Sequence, residues 1–167
     1  MAFSLIPTHV CDSIYDIDWP ALAKQGVKLV LADLDNTLIP YSKSMPDDRL
    51  RAWKEELDGL GMTLFVLSNS RRSHRCPDFC KALGVPCRRR SKKPSTRGYL
   101  ETMAQYGVTA EQTVMLGDQI FTDTLGANRA GVPVWLVKPI EFGTPFRLAR
   151  YGVELPFRAI AKRRNII

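Results

Sequence analysis

Four short apolar runs, separated by longer amphipathic stretches, constrain this chain more than any other feature. They are VKLVLA at 27–32, MTLFVL at 62–67, TVML at 113–116 and VPVWLV at 132–137. Each is too short for a helix and rich in β-branched or aliphatic residues, so each reads as a strand. Near-continuous apolar character means burial on both faces, as in a parallel sheet covered by helices. Helical patterns lie between the runs at 47–59, 72–83, 95–106 and 121–130. Pro46 and Pro94 stand at two of the starts, and Gly61, Gly84, Gly107 and Gly131 fall at the stops. A fifth, short strand fits 85–88. The pattern predicts an α/β fold, a Rossmann-like three-layer sandwich around a mostly parallel central sheet.

The 167 residues suit one domain, 1–167, with its core at 27–137. The segment 138–167 mixes aromatic, aliphatic and basic residues with Pro145 and Pro156, so any helix there is expected to be short and interrupted. No run of about 18 apolar residues occurs, and the opening stretch turns acidic and polar at once, so neither a membrane span nor a signal peptide is expected. Cys11, Cys76, Cys80 and Cys87 lack the paired spacing of a disulfide framework. A cytoplasmic location with free thiols follows as the expectation.

Charge is unevenly spread. Of the net +7, residues 71–97 hold ten Lys or Arg against the single acid Asp78. Such a field concentrates an anionic partner, whether phosphate ester, nucleic acid or acidic lipid head group.

In an open α/β sheet, ligands bind beyond the carboxyl ends of the strands. Asp33-Leu34-Asp35-Asn36-Thr37 follows the first run and Gly117-Asp118-Gln119-Ile120-Phe121-Thr122-Asp123 follows the third, so both acid clusters reach the same edge. Carboxylates gathered there repel unless a cation sits between them, and a few hard oxygen ligands suit magnesium. Ser68-Asn69-Ser70 ends the second run and offers a hydroxyl and amides to phosphate, while Lys93 can neutralise a phosphoryl group. Asp33 and Asp35, two apart on an extended strand, point the same way, and a carboxylate can serve as a covalent nucleophile towards phosphorus.

These residues, in this order, resemble the four motifs of the haloacid dehalogenase superfamily of phosphohydrolases, subfamily IIIA. DLDNT resembles the first motif, Ser68 the second, Lys93 the third and GDQIFTD the fourth. The resemblance implies a phosphomonoester hydrolase working through a phospho-aspartate on Asp33, with Asp35 as general acid and base. It implies phosphate contacts from Ser68, Asn69 and Lys93, and Mg2+ held by Asp33, Asp35 and Asp118, with Asp123 completing or orienting the shell. Asn36 and Thr37 would fix the loop. The gaps from Thr37 to Ser68 and from Ser70 to Lys93 leave no room for the cap domain most members carry. The lead before DLDNTL and the SNS, KKP, GDQ and TD run are similar to the YqeG-like family, itself similar to phosphatidylglycerophosphate phosphatases.

That likeness implies a lipid monophosphate as substrate and a peripheral place at the inner membrane face. Two other readings stand beside it: a phosphatase of soluble sugar or nucleotide monophosphates, and a basic RNA- or ribosome-binding protein on the same scaffold. Zinc is disfavoured, because His74, Cys76, Cys80 and Cys87 lack a Cys-x2-Cys knuckle and most of them fall on a predicted helix.

Overall fold

The computed structural model describes residues 3–165. Six strands form one all-parallel sheet: β1 (His9–Cys11), β2 (Leu29–Ala32), β3 (Thr63–Leu67), β4 (Cys87–Arg88), β5 (Thr113–Gly117) and β6 (Val134–Val137), in the order β1-β6-β5-β2-β3-β4. The helices are α1 (Trp19–Lys24), α2 (Asp48–Gly59), α3 (Arg75–Leu83), α4 (Arg97–Tyr106), α5 (Leu125–Ala130) and α6 (Pro145–Arg164). The expected parallel α/β sandwich is therefore present, and residues 138–167 are described up to 165.

Strand alternation divides the core into two layers. Val30 and Ala32 of β2 point into a cluster with Trp19, Leu50, Trp53, Leu57 and Phe79 from α1, α2 and α3. Leu29 and Leu31 point the other way, into a cluster with Tyr99, Met103 and Ala127 from α4 and α5. Residues 38–62 hold only a loop and α2, and residues 70–92 only α3, β4 and their connections, so no cap domain covers the sheet edge.

Two local expectations fail. Residues 145–164 form one 20-residue helix, opened by Thr144, whose side chain accepts from the Arg147 N–H. Pro156 is tolerated because the carbonyl it cannot bond belongs to Gly152, which is exposed and open to water. The helix expected over 121–130 begins instead as one π turn, Ile120–Thr124, before α5. Neither β1 nor α1 is marked by a run long enough to read; β1 exists through pairing with β6, 125 or so residues later in the chain, as His9↔Trp135 and Cys11↔Val137 show.

Candidate active site

The chain leaves β2 towards β3 and β4 on one side, then returns to place β5 on the other, so β2 and β5 flank a topological switch point. Asp33 follows β2 and Asp118 follows β5, which brings them side by side; the Asp33 N–H still donates to the Leu116 carbonyl at 2.9 Å. The π turn then carries Asp123 back over Gly117, where any Cβ would overlap the Asp123 side chain. Carboxylate oxygens of Asp33, Asp118 and Asp123 lie within 4.8 Å of one another, all buried.

Lys93 reaches into this group. Its Nζ donates to Asp33 Oδ1 and to the Leu67 carbonyl, both at 2.6 Å. It also stands 2.8 Å from Asp123 Oδ1, an ion pair whose alignment is not that of a hydrogen bond. Burial pushes the Asp33 carboxyl up to about 7, with Lys93 opposing the rise and Asp123 and Asp35 adding to it. Burial, then the charges of Asp123 and Asp33, raises Asp118. For Lys93 burial acts downward, but Asp123 and Asp33 outweigh it and hold the ammonium above its ordinary range. One lysine facing three buried acids leaves the site short of positive charge.

That shortage is the test for a metal. Asp118 Oδ2 is buried without a hydrogen-bond partner, while Asp118 Oδ1 accepts only from the Thr37 hydroxyl at 3.4 Å. An orphaned carboxylate oxygen amid two further acids fits a hard divalent cation.

The other expected residues fall around this centre with differing duties. Asp35 lies outside the group of three: its Oδ1 accepts from Arg75 Nε at 2.7 Å, and Arg75 also donates to the Lys43 and Pro40 carbonyls. Asn36 takes a left-handed conformation at φ 63°, one that asparagine tolerates better than most residues. Ser68 is buried at the base of its loop, its hydroxyl accepting from the Ser70 N–H at 3.0 Å. Asn69 laces two loops together: Oδ1 accepts from the Ser91 hydroxyl and the Lys93 N–H, and Nδ2 donates to the Lys93 carbonyl at 2.9 Å.

An open pocket of about 300 Å³ lies over Asp33, Asp35 and Lys93. Arg71, Arg72, Arg147 and Arg150 line its mouth. Tyr41 is gripped there between Arg147, 3.8 Å from its ring centre, and Arg72, at 4.2 Å.

Sequence reasoning missed the contact of Arg75 with Asp35 and the tie of α6 to the acid-bearing turn. Buried Arg158 donates to the Asp118 carbonyl at 2.5 Å and to the Val137 carbonyl at 3.0 Å. Glu154, raised by burial, accepts from the Ile120 N–H at 2.9 Å. Together they fasten α6 to the acid-bearing turn. The i,i+4 spacing of Glu154 and Arg158 was the available signal, hidden by the reading of Pro156 as a break.

Residues 3–141 match the profile of the family described as mitochondrial PGP phosphatase. The "Probable phosphatase YqeG" of Bacillus subtilis is 29% identical over 156 residues, spanning 93% of this chain and 90% of its own length. The chloroplastic phosphatidylglycerophosphate phosphatase 1 of Chlamydomonas reinhardtii is 31% identical, spanning 93% of this chain and 66% of that protein. Among solved structures, the cobalt-bound deoxy-D-mannose-octulosonate 8-phosphate phosphatase of Haemophilus influenzae superposes with a TM-score of 0.54 at 18% identity, over 82% of this chain and 92% of that one. That likeness speaks for the fold alone, a Rossmann-like parallel sheet with helices on both faces. With buried acids, a lysine and an open pocket at the switch point of such a sheet, and a family profile matched across residues 3–141, this chain is a phosphatase belonging to the mitochondrial PGP phosphatase family.

Proposed function

We propose that this phosphatase cleaves phosphate monoesters by attack of Asp33 on phosphorus, assisted by Mg2+, and that its substrate is a lipid monophosphate such as phosphatidylglycerophosphate. The observation that carries the chemistry is the group Asp33, Asp118 and Asp123 with Lys93 set among them. Asp33, Asp118 and Asp123 would hold the magnesium ion, which supplies positive charge to the phosphoryl oxygens and favours the ionised form of Asp33.

In the first step an Asp33 carboxylate oxygen forms a bond to phosphorus as the ester P–O bond breaks. The departing oxygen takes a proton from Asp35. Lys93 and the Ser68 loop neutralise and position the transferring phosphoryl group. In the second step water attacks the phospho-aspartate, its proton passes to Asp35, and phosphate leaves with Asp33 restored as a carboxylate. Arg75, bonded to Asp35 and to two backbone carbonyls, keeps that carboxyl oriented.

The lipid part rests on α6. Between 145 and 160 its exposed residues include Phe146 (75% exposed), Leu148 (56%), Val153 (60%), Leu155 (48%) and Ile160 (41%), and none is charged. Arg147 and Arg150 lie on the same helix at the pocket mouth, and Lys162, Arg163 and Arg164 follow at its end. An apolar face flanked by cations suits the interface of an anionic bilayer, and would set the pocket beside the head groups. No helix among the described residues is long and apolar enough to cross a membrane, so the attachment is peripheral. The Chlamydomonas relative's name agrees with this substrate.

Phosphate release from phosphatidylglycerophosphate in vesicles, compared with soluble sugar and nucleotide monophosphates and RNA ends, tests the reading. Preference for the vesicle lipid, abolished by Asp33→Asn, is expected. Equal turnover of soluble esters would remove the lipid substrate, and activity surviving Asp33→Asn would remove the nucleophile.

A further inference from the structure

Three cysteines that phosphate chemistry does not use converge behind the Ser68 loop. Cys76 and Cys80 stand one turn apart on α3, both buried, and Cys87 is half-buried on β4. Their sulfur atoms all lie within 4.8 Å of one another. The spacing that argued against a zinc knuckle is bridged by the fold. Gly84, at φ 74°, ends α3 in a left-handed turn, the Val85 N–H returns to the Cys80 carbonyl at 2.9 Å, and β4 runs back beside the helix. Tertiary structure therefore brings the third thiol to the pair.

We propose that Cys76, Cys80 and Cys87 form a thiolate site for one zinc ion, separate from the carboxylate site. Zinc–sulfur bonds of about 2.3 Å in tetrahedral array set sulfurs about 3.8 Å apart, so sulfurs within 4.8 Å of one another need to close by at most about 1 Å. The half-buried side of Cys87 leaves a fourth position open to water. Binding exchanges three thiol protons for the metal and leaves a net charge of −1, which the ten Lys and Arg of residues 71–97 offset. Soft sulfur donors select zinc where the carboxylates select magnesium. Cys76 and Cys80 belong to the core layer of α3 and Cys87 packs against its edge; apolar packing fills that space but does not itself call for three thiols at one point.

The site has a consequence for the pocket. Cys76 adjoins Arg75, which holds Asp35, and Cys87 pairs across the sheet with Val66, two residues before Ser68. A zinc ion tying α3 to β4 would stiffen both ends of the segment 68–75.

The test uses the full chain, reduced and stripped of metal, titrated with Co2+. One equivalent should produce a near-ultraviolet thiolate-to-cobalt charge-transfer band, bleached by Zn2+ and indifferent to excess Mg2+. Cys87→Ser, at the accessible thiol, should lose the band, and Asp33→Asn should keep it. Zinc should also slow alkylation of the three thiols by about tenfold or more, with Cys11 as the unprotected control. Absence of the band, its survival in Cys87→Ser, or unslowed alkylation overturns the site. None of these readouts depends on phosphatase activity, so the proposal stands or falls apart from the hydrolytic mechanism.

Discussion

Replacing Lys93 by methionine removes one cation from a space holding three buried carboxylates. Its side chain is 1% exposed, and those of its partners Asp33 and Asp123 are 10% and 1% exposed. Methionine keeps most of the stem's volume, so the change is chiefly electrostatic. Breaking a buried ion pair from one side costs about 3–5 kcal/mol, a large share of the roughly 5–15 kcal/mol that stabilises a domain. At about 2–4 °C per kcal/mol for a chain of this size, the melting temperature in EDTA should fall by about 6–20 °C near neutral pH. Acid should shrink that loss. Asp33 already sits at about 7 through burial, and once protonated it needs no counter-charge. Magnesium should shrink it too, by standing in for the missing ammonium. Thermal melts at about pH 5 and about pH 8, with EDTA or with magnesium, measure all four conditions. Destabilisation equal at both pH values and untouched by magnesium would refute Lys93 as the counter-charge of the acid group.

In the metal-free wild-type protein, the folded state holds the Asp33 proton more tightly than the unfolded chain does. Its contribution to stability is complete below about pH 4 and is lost as pH rises through about 7. Melts in EDTA should therefore fall across that window, and saturating magnesium should flatten the fall; a melting temperature rising with pH in EDTA would contradict this. Gly117→Ala drives a methyl group into the Asp123 side chain, at a cost of about 1–3 kcal/mol for overpacking. It should raise the magnesium concentration needed for half-maximal turnover by about tenfold, read from an activity titration; unchanged magnesium dependence would clear Asp123 of any part in the metal shell.

The carboxylate centre was legible because its residues lie within a few positions of strand ends, where local pattern suffices. Asp33 follows an apolar run directly, and Asp118 and Asp123 follow another across one short turn. The four strands 27–32, 62–67, 113–116 and 132–137 overlap β2, β3, β5 and β6, each within two residues at either end. Features that depend on distant partners were not legible. β1 owes its existence to β6, and Arg75 reaches Asp35 across 40 positions. The 20-residue α6 runs through a proline because Glu154 and Arg158 bind the turn after β5 and an exposed carbonyl absorbs the break.

By itself, then, the sequence determined a parallel α/β sheet with acids, a serine and a lysine delivered to one edge, because hydrophobic period and strand-end position are local properties. Only the tertiary structure decided which charges meet. It set Lys93 between Asp33 and Asp123, left one Asp118 oxygen without a partner, turned α6 with its arginines to the pocket and its apolar side outward, and drew three cysteines together. Those pairings depend on side-chain reach across separate elements, which no spacing along the chain encodes.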